Sequence, residues 1–263
     1  MIDKNVNIIK DPKIKRIVEY SADNKQINVL DQRFYKRNDE YYPSVSSILN
    51  FFPKNQFFHS WLKDVGHNSD IIAGKAAGEG TQVHNAVEDF INGEEITWLD
   101  EYGNAKYSLD VWKMILKFAE FWNTHKPEVI AAEYHLFSDE YKYAGTADLI
   151  VRFNNKIWLL DVKTSNSLHT SYDLQLSAYA QAWNETHNEK IEETGILWLK
   201  ANTRSEGKNG KIQGKGWELK HISEIERNFK MFQNIYEIYK LENPDAKPYT
   251  ELLPTTVKLT PAP

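Results

Sequence analysis

The sequence predicts an α/β protein with a mixed central sheet, and three observations lead there. The run "GTADLIVRFNNKIWLLDVKTS" (145–165) reads as two paired strands. Segments of helical periodicity stand on both sides of it, and a further apolar strand, "GILWLKA" (195–201), follows the helix after the hairpin. Helices, strand, hairpin, helix and strand in that order make an α/β arrangement.

Taken in order, "RFYKRNDEYYPSV" (33–45) alternates aromatic and polar residues around Asn38-Asp39, which predicts a small hairpin. A short helix starts near Ser44, with Pro43 ahead of it. From Ser69 to Ile91 the composition is helical, with Val83, Val87 and Phe90 or Ile91 forming an apolar stripe that places His84 one residue away. A second helix covers 107–124, ended by Pro127, and "EVIAAEYHLFS" (128–138) is a strand with Glu133 near its middle.

The hairpin strands are Ala147–Phe153 and Lys156–Val162, because Asn154-Asn155 can take the positive φ angles of a two-residue turn. The helix over 171–186 carries Tyr172, Leu176, Tyr179, Ala180 and Trp183 on one face, with Gln175 and Tyr179 four residues apart and adjacent. Strands at 195–201 and 216–222 follow. Ser223 and Glu226 fit a capping box that opens a last helix to about Leu241, and the tail (247–263) reads as irregular or loosely docked.

The hairpin poses a chemical question. A two-residue loop pairs Phe153 with Lys156, so Asp148 falls opposite Asp161 and Thr146 opposite Lys163. Facing residues of an antiparallel pair have Cβ atoms about 4.5–5.5 Å apart, and like charges placed so are destabilising unless something positive lies between them. A divalent cation meets that need. Lys163, two residues after Asp161, projects on the same face. The plain alternative is a solvated sheet face with an incidental lysine; the apolar flank "IWLL" and the abrupt change to "KTSN" argue against it.

Composition narrows the chemistry. At 263 residues one elaborated domain is expected (1–263), divided into an N-terminal hairpin and helices (1–70), a core (71–222) and a C-terminal helix and tail (223–263). The chain has no cysteine, which excludes disulfides, thiolate zinc sites, a cysteine nucleophile and any iron–sulfur cluster; a metal must be held by oxygen or imidazole nitrogen. The start "MIDKNVNIIKDPKIKR" lacks the apolar core of a signal peptide, and no apolar run approaches the ~20 residues needed to cross a bilayer. A soluble, cytoplasmic protein with no membrane partner is expected. The net charge of −5 does not mark a nucleic-acid binder overall. The segment 200–220 nevertheless holds six Lys/Arg against two Glu, so Lys208, Lys211 and Lys215 are candidates for phosphate contact; the alternative is a solvated hairpin.

G-T-A-D, then D-V-K, then Q-L-S-A-Y, with "GTQVH" upstream, resembles the PD-(D/E)XK nuclease superfamily, in particular its RecB-like branch with the Q-x-x-x-Y motif. The matching parts span His84 to Lys200 in the expected order. "YYPSVSSIL" and the aromatic helix after His84 look similar to phage exonucleases and the mitochondrial genome maintenance exonuclease.

The resemblance implies a restriction-endonuclease-like core, a mixed sheet flanked by helices, with an N-terminal helical elaboration. It implies a metal-dependent phosphodiesterase acting on DNA with Mg²⁺ or Mn²⁺, one or two ions. Position by position, Asp148 and Asp161 would bind the catalytic metal, the Val162 carbonyl would add an oxygen, and His84 would be a further ligand. Lys163 would orient or help deprotonate the attacking water, its pKa lowered beside a cation, and Gln175 and Tyr179 would position the motif and contact nucleic acid. Glu133 suits either a second metal or an exposed strand position.

Plainer readings stay open beside these. His84 can be a packed histidine, Tyr179 plain core, Gln175 a cap on sheet-edge groups, and Lys163 a mere neutraliser of the aspartates. The expected activity is an exonuclease on single-stranded DNA ends in phage-type replication, recombination or degradation, with replication or recombination proteins as partners and the bacterial host cytoplasm as location. The alternatives are an endonuclease of the same fold and a non-catalytic nucleic-acid-binding protein. Trp61, Phe57 and Phe58 are candidates for stacking on bases.

Overall fold

The computed structural model describes residues 18–20, 26–29, 32–37, 40–201, 205–206, 212–213 and 216–248. The described residues begin with a four-stranded antiparallel sheet: β1 (Val18–Tyr20), β2 (Gln26–Val29), β3 (Gln32–Arg37) and β4 (Glu40–Pro43), in that spatial order. Sequence periodicity anticipates only β3 and β4, whose register Arg37↔Glu40 closes around the expected turn.

Pro43 then hands the chain to α1 (Val45–Leu49), capped by the Ser44 hydroxyl, which accepts from the Ser47 amide at 3.0 Å. The next helix, α2 (Gln56–Val65), is capped by Asn55 and has no buried residue. A 3₁₀ turn (Gly66–Asn68) leads into α3 (Ser69–Ile91), then comes α4 (Leu109–His125), which ends on Lys126 in the left-handed region just before Pro127.

The central sheet comprises β5 (Glu128–Ser138), β6 (Tyr143–Phe153), β7 (Lys156–Lys163), β8 (Glu193–Trp198) and β11 (Glu218–Ile222) in the order β11-β8-β7-β6-β5. Between β7 and β8 runs α5 (Thr170–Thr186), whose crossover makes that pair parallel; the other neighbours are antiparallel. A short two-stranded hairpin, β9 (Ser205–Glu206) and β10 (Ile212–Gln213), precedes β11, and α6 (Ile225–Glu242) follows it. Lys208, Lys211 and Lys215 lie outside the described residues. Among the described residues no helix is long and apolar enough to cross a membrane.

The last helix has no capping box from Ser223 and Glu226, contrary to expectation: its N-cap is Glu224, held at φ +63 with no side-chain cap bond, and Arg227 rather than a backbone amide takes its carboxylate at 2.7 Å. At the N-terminal side, β1 and β2 extend the expected hairpin into a four-stranded sheet.

The sheet has two apolar faces. Ile150, Leu159 and Ile196 pack under α5, α6 and α1 through Leu174, Trp183, Phe232 and Ile48, whereas Leu149, Val151, Leu160, Val162 and Leu197 pack against α3 and α4 through Val83, Val87, Phe118 and Phe121. Each such side chain, fully buried, contributes about 1.5–3 kcal/mol, so the two-sided core holds the middle strands in place. The N-terminal sheet is joined to this core beside the hairpin. Tyr35 Oη and Thr146 Oγ1 are 2.8 Å apart, the Tyr42 hydroxyl donates to Asp139 at 2.9 Å, and Ser44 bridges Ala144.

Candidate metal centre and catalytic site

The hairpin turn is as expected, with Asn154 at φ +51 and Asn155 at φ +61. From Phe153↔Lys156 the register runs to Leu149↔Leu160. There the β6–β7 ladder ends, one pair short of the two aspartates, so Asp148 and Asp161 sit where the strands part and Thr146 does not pair with Lys163. Beyond the fork β6 stays paired to β5, and β7 to β8. The physical reason is visible: the Val162 amide donates to Asp148 Oδ2 at 2.7 Å, so a carboxylate takes the place of a backbone acceptor.

Three ligand-type side chains meet at this fork. His84 from α3 brings its Nδ1 to 3.6 Å from Asp148 Oδ2 and 3.7 Å from Glu133 Oε1, and the ligand atoms of His84, Glu133 and Asp148 all lie within 4.8 Å of one another. Glu133 is on β5, between the pairs Ala132↔Leu149 and Tyr134↔Ala147, with its backbone at φ +44. A non-glycine residue in that region costs about 1–3 kcal/mol, strain that the packed strand must sustain. Sequence reasoning leaves Glu133 open, and nothing in the pattern "AAEYH" signals this backbone.

Asp161 faces the same fork from β7 and is 2% exposed. Lys163 Nζ lies 2.8 Å from both of its oxygens, with hydrogen-bond geometry only to Oδ1; Oδ2 is buried and has no hydrogen-bond partner. Lys163 also donates to Gln175 Oε1 at 3.4 Å and stands 4.6 Å over the Tyr172 ring. Tyr172 lies one helical turn before Gln175; sequence reasoning misses its role here because its position on the apolar stripe reads as core.

Gln175 in turn donates to the Tyr179 hydroxyl at 3.1 Å. Tyr179 is 5% exposed and packed beneath Gly145, where an added Cβ would meet its Cε1 at 2.2 Å. The Tyr179 ring is thus buried by the β6 backbone, and its hydroxyl accepts from Gln175, the residue next in line to Lys163.

The electrostatics follow from burial and proximity. Burial pushes the Asp161 carboxyl up; the Lys163 ammonium opposes that and the Asp148 charge adds to it. Burial would push Lys163 down, yet the Asp161 and Asp148 carboxylates outweigh it and hold the ammonium above its ordinary value. Burial would likewise lower His84, but Asp148 and Glu133 hold its imidazolium up at about 9. Three carboxylates gathered round one imidazole and one ammonium make a site that draws positive charge.

The residues fit a divalent cation. The donor set is carboxylate oxygen with one imidazole, and the ligand atoms of His84, Glu133 and Asp148 converge within 4.8 Å of one another. His84, Glu133, Asp148 and Asp161 are the residues that would hold it.

The family model of the PD-(D/E)XK nuclease superfamily matches residues 55–250. The chain belongs to this superfamily. The match covers every element from α2 through α6 and makes the chain a nuclease of a metal-dependent superfamily, and the mixed five-stranded sheet flanked by helices is this superfamily's fold. A comparison with curated proteins gave no match.

Proposed function

We propose that this nuclease is an exonuclease that hydrolyses DNA from its ends, favouring single strands, with Mg²⁺ or Mn²⁺ held at the fork. The observation that carries the reading is the cluster of His84, Glu133 and Asp148 beside the buried Asp161–Lys163 pair. When bound, the cation supplies Lewis acidity that neutralises charge building on the phosphate oxygens. His84, Glu133, Asp148 and Asp161 would hold it, and the Val162 carbonyl would add a further oxygen. Lys163, fixed by Asp161 and Gln175, orients the attacking water as an ammonium and offsets charge building on the phosphate. Mn²⁺ suits the imidazole of His84 as well as the carboxylates.

The preference for ends rests on the likeness of "YYPSVSSIL" and the aromatic helix after His84 to exonucleases. Lys54 and Phe58 line a cavity together with Tyr172 and Gln175, the two residues that also contact Lys163. Lys208, Lys211 and Lys215 would add phosphate contacts, in a phage-type setting of DNA replication, recombination or degradation with proteins of those processes as partners.

The test incubates end-labelled linear single-stranded DNA and its covalently closed circle with the protein in EDTA, Mg²⁺ and Mn²⁺. Metal-dependent loss of the linear strand alone, absent with Lys163→Ala, is the expected result. Cutting of the circle would make the enzyme an endonuclease at the same centre, and binding of both without cutting would make it a binder.

A further inference from the structure

The cavity beyond Gln175, of about 410 Å³, has a composition that the chemistry at the fork does not use. Phe52 and Phe58, from the connection after α1 and the start of α2, line it together with His169, Tyr172 and Gln175 at the start of α5. Asn50 and Lys54 complete the rim, with Lys54 Nζ 5.8 Å over the Phe58 ring. Among the described residues a single lysine lines the cavity, and no arginine or carboxylate does. That lining suits a flat, uncharged, aromatic ligand with hydrogen-bonding edges better than it suits a phosphate.

Position identifies the ligand class. Tyr172 and Gln175 are also the residues that touch Lys163, so the cavity opens where the hydrolytic centre ends. We infer that it receives one nucleobase of the substrate strand, that of the nucleotide next to the phosphodiester at Lys163, stacked on Phe58 and edged by the polar groups of Tyr172 and Gln175. The inference rests on the DNA-hydrolysing reading and adds to it a register: the enzyme grips a particular base as it cuts. Stacking of this kind tolerates any base, because every base offers a π face.

The experiment places a single abasic residue at successive positions of linear single-stranded DNA and measures kcat/KM for the wild type, Phe58→Ala and Phe58→Trp. In one register the abasic residue slows the wild type by about 10- to 100-fold, the range that loss of one base stack predicts. Phe58→Ala is slowed to a similar degree on intact DNA and is indifferent to the lesion in that register, while Phe58→Trp stays close to wild type in both respects. An equal response in every register, or Phe58→Ala at the wild-type rate, overturns the subsite and leaves the nuclease reading standing. Should no DNA be hydrolysed at all, the nuclease reading fails, and quenching of a 2-aminopurine-containing oligonucleotide by the wild type but not by Phe58→Ala still supports the base site. Equal quenching by both overturns it.

Discussion

Replacing Lys163 with alanine lowers DNA hydrolysis by at least ~10²-fold, and Asp161→Asn does the same. The geometry adds a second consequence. Asp161 is 3% and Lys163 17% exposed at the side chain, so each single change strands its partner's charge away from water. Removing one member of such a buried pair costs about 3–5 kcal/mol, whereas exchanging both for apolar groups of similar volume is often neutral or stabilising. Each single variant is therefore expected to unfold at lower denaturant concentration than wild type, and Asp161→Leu with Lys163→Met to recover that loss while remaining inactive. Denaturant unfolding and cleavage assays on the four proteins check both halves. A single variant that is folded and still turns over at the wild-type rate removes that residue from the mechanism.

The second large effect comes from a residue with no side chain. Gly145→Ala sets a methyl 2.2 Å from Cε1 of Tyr179, a separation that real carbon atoms do not keep. The ring must move, and it is enclosed: overpacking of this kind costs about 1–3 kcal/mol or more. Through the Tyr179 hydroxyl the shift reaches Gln175 and then Lys163, where a displacement near 1 Å can lower the rate by ~10²-fold. Adding Tyr179→Leu to Gly145→Ala should restore part of the stability, since the steric conflict goes, but not the rate. Melting temperature and kcat together decide this. If Gly145→Ala matches wild type in both, the chain of contacts from Tyr179 to Lys163 is not needed for hydrolysis.

Part of this centre is legible in the residues alone. Asn154-Asn155, Ser44 and Pro127 announce a turn, a cap and a stop through local chemistry, and the strands and helices around them lie where that chemistry puts them. The same turn sets the register that runs to Leu149↔Leu160, and so brings both aspartates to the point where the strands part. Its finer geometry depends on contacts between distant segments. The end of the β6–β7 ladder reflects competition between the Asp148 carboxylate and a backbone carbonyl for one amide. The left-handed backbone of Glu133 is imposed by its strand neighbours and leaves no mark in composition. Tyr179 and Tyr172 share one helical stripe, yet one is closed over by Gly145 and the other lies under the Lys163 ammonium. The capping box expected at Ser223 does not form because the chain enters α6 through a left-handed Glu224, a choice made by the path from β11.

The most direct test of a cation-dependent centre at the strand fork is a Mn²⁺ titration of metal-stripped protein, reading bound ion and hydrolysis of linear single-stranded DNA on the same sample for wild type and Asp148→Asn. Wild-type hydrolysis is expected to be nil in EDTA and to rise in step with occupancy. Asp148→Asn is expected to bind Mn²⁺ more weakly and to lose at least ~10²-fold in rate. Hydrolysis that persists in EDTA, or an Asp148→Asn protein that binds and cuts like wild type, would contradict a cation-dependent centre at the fork.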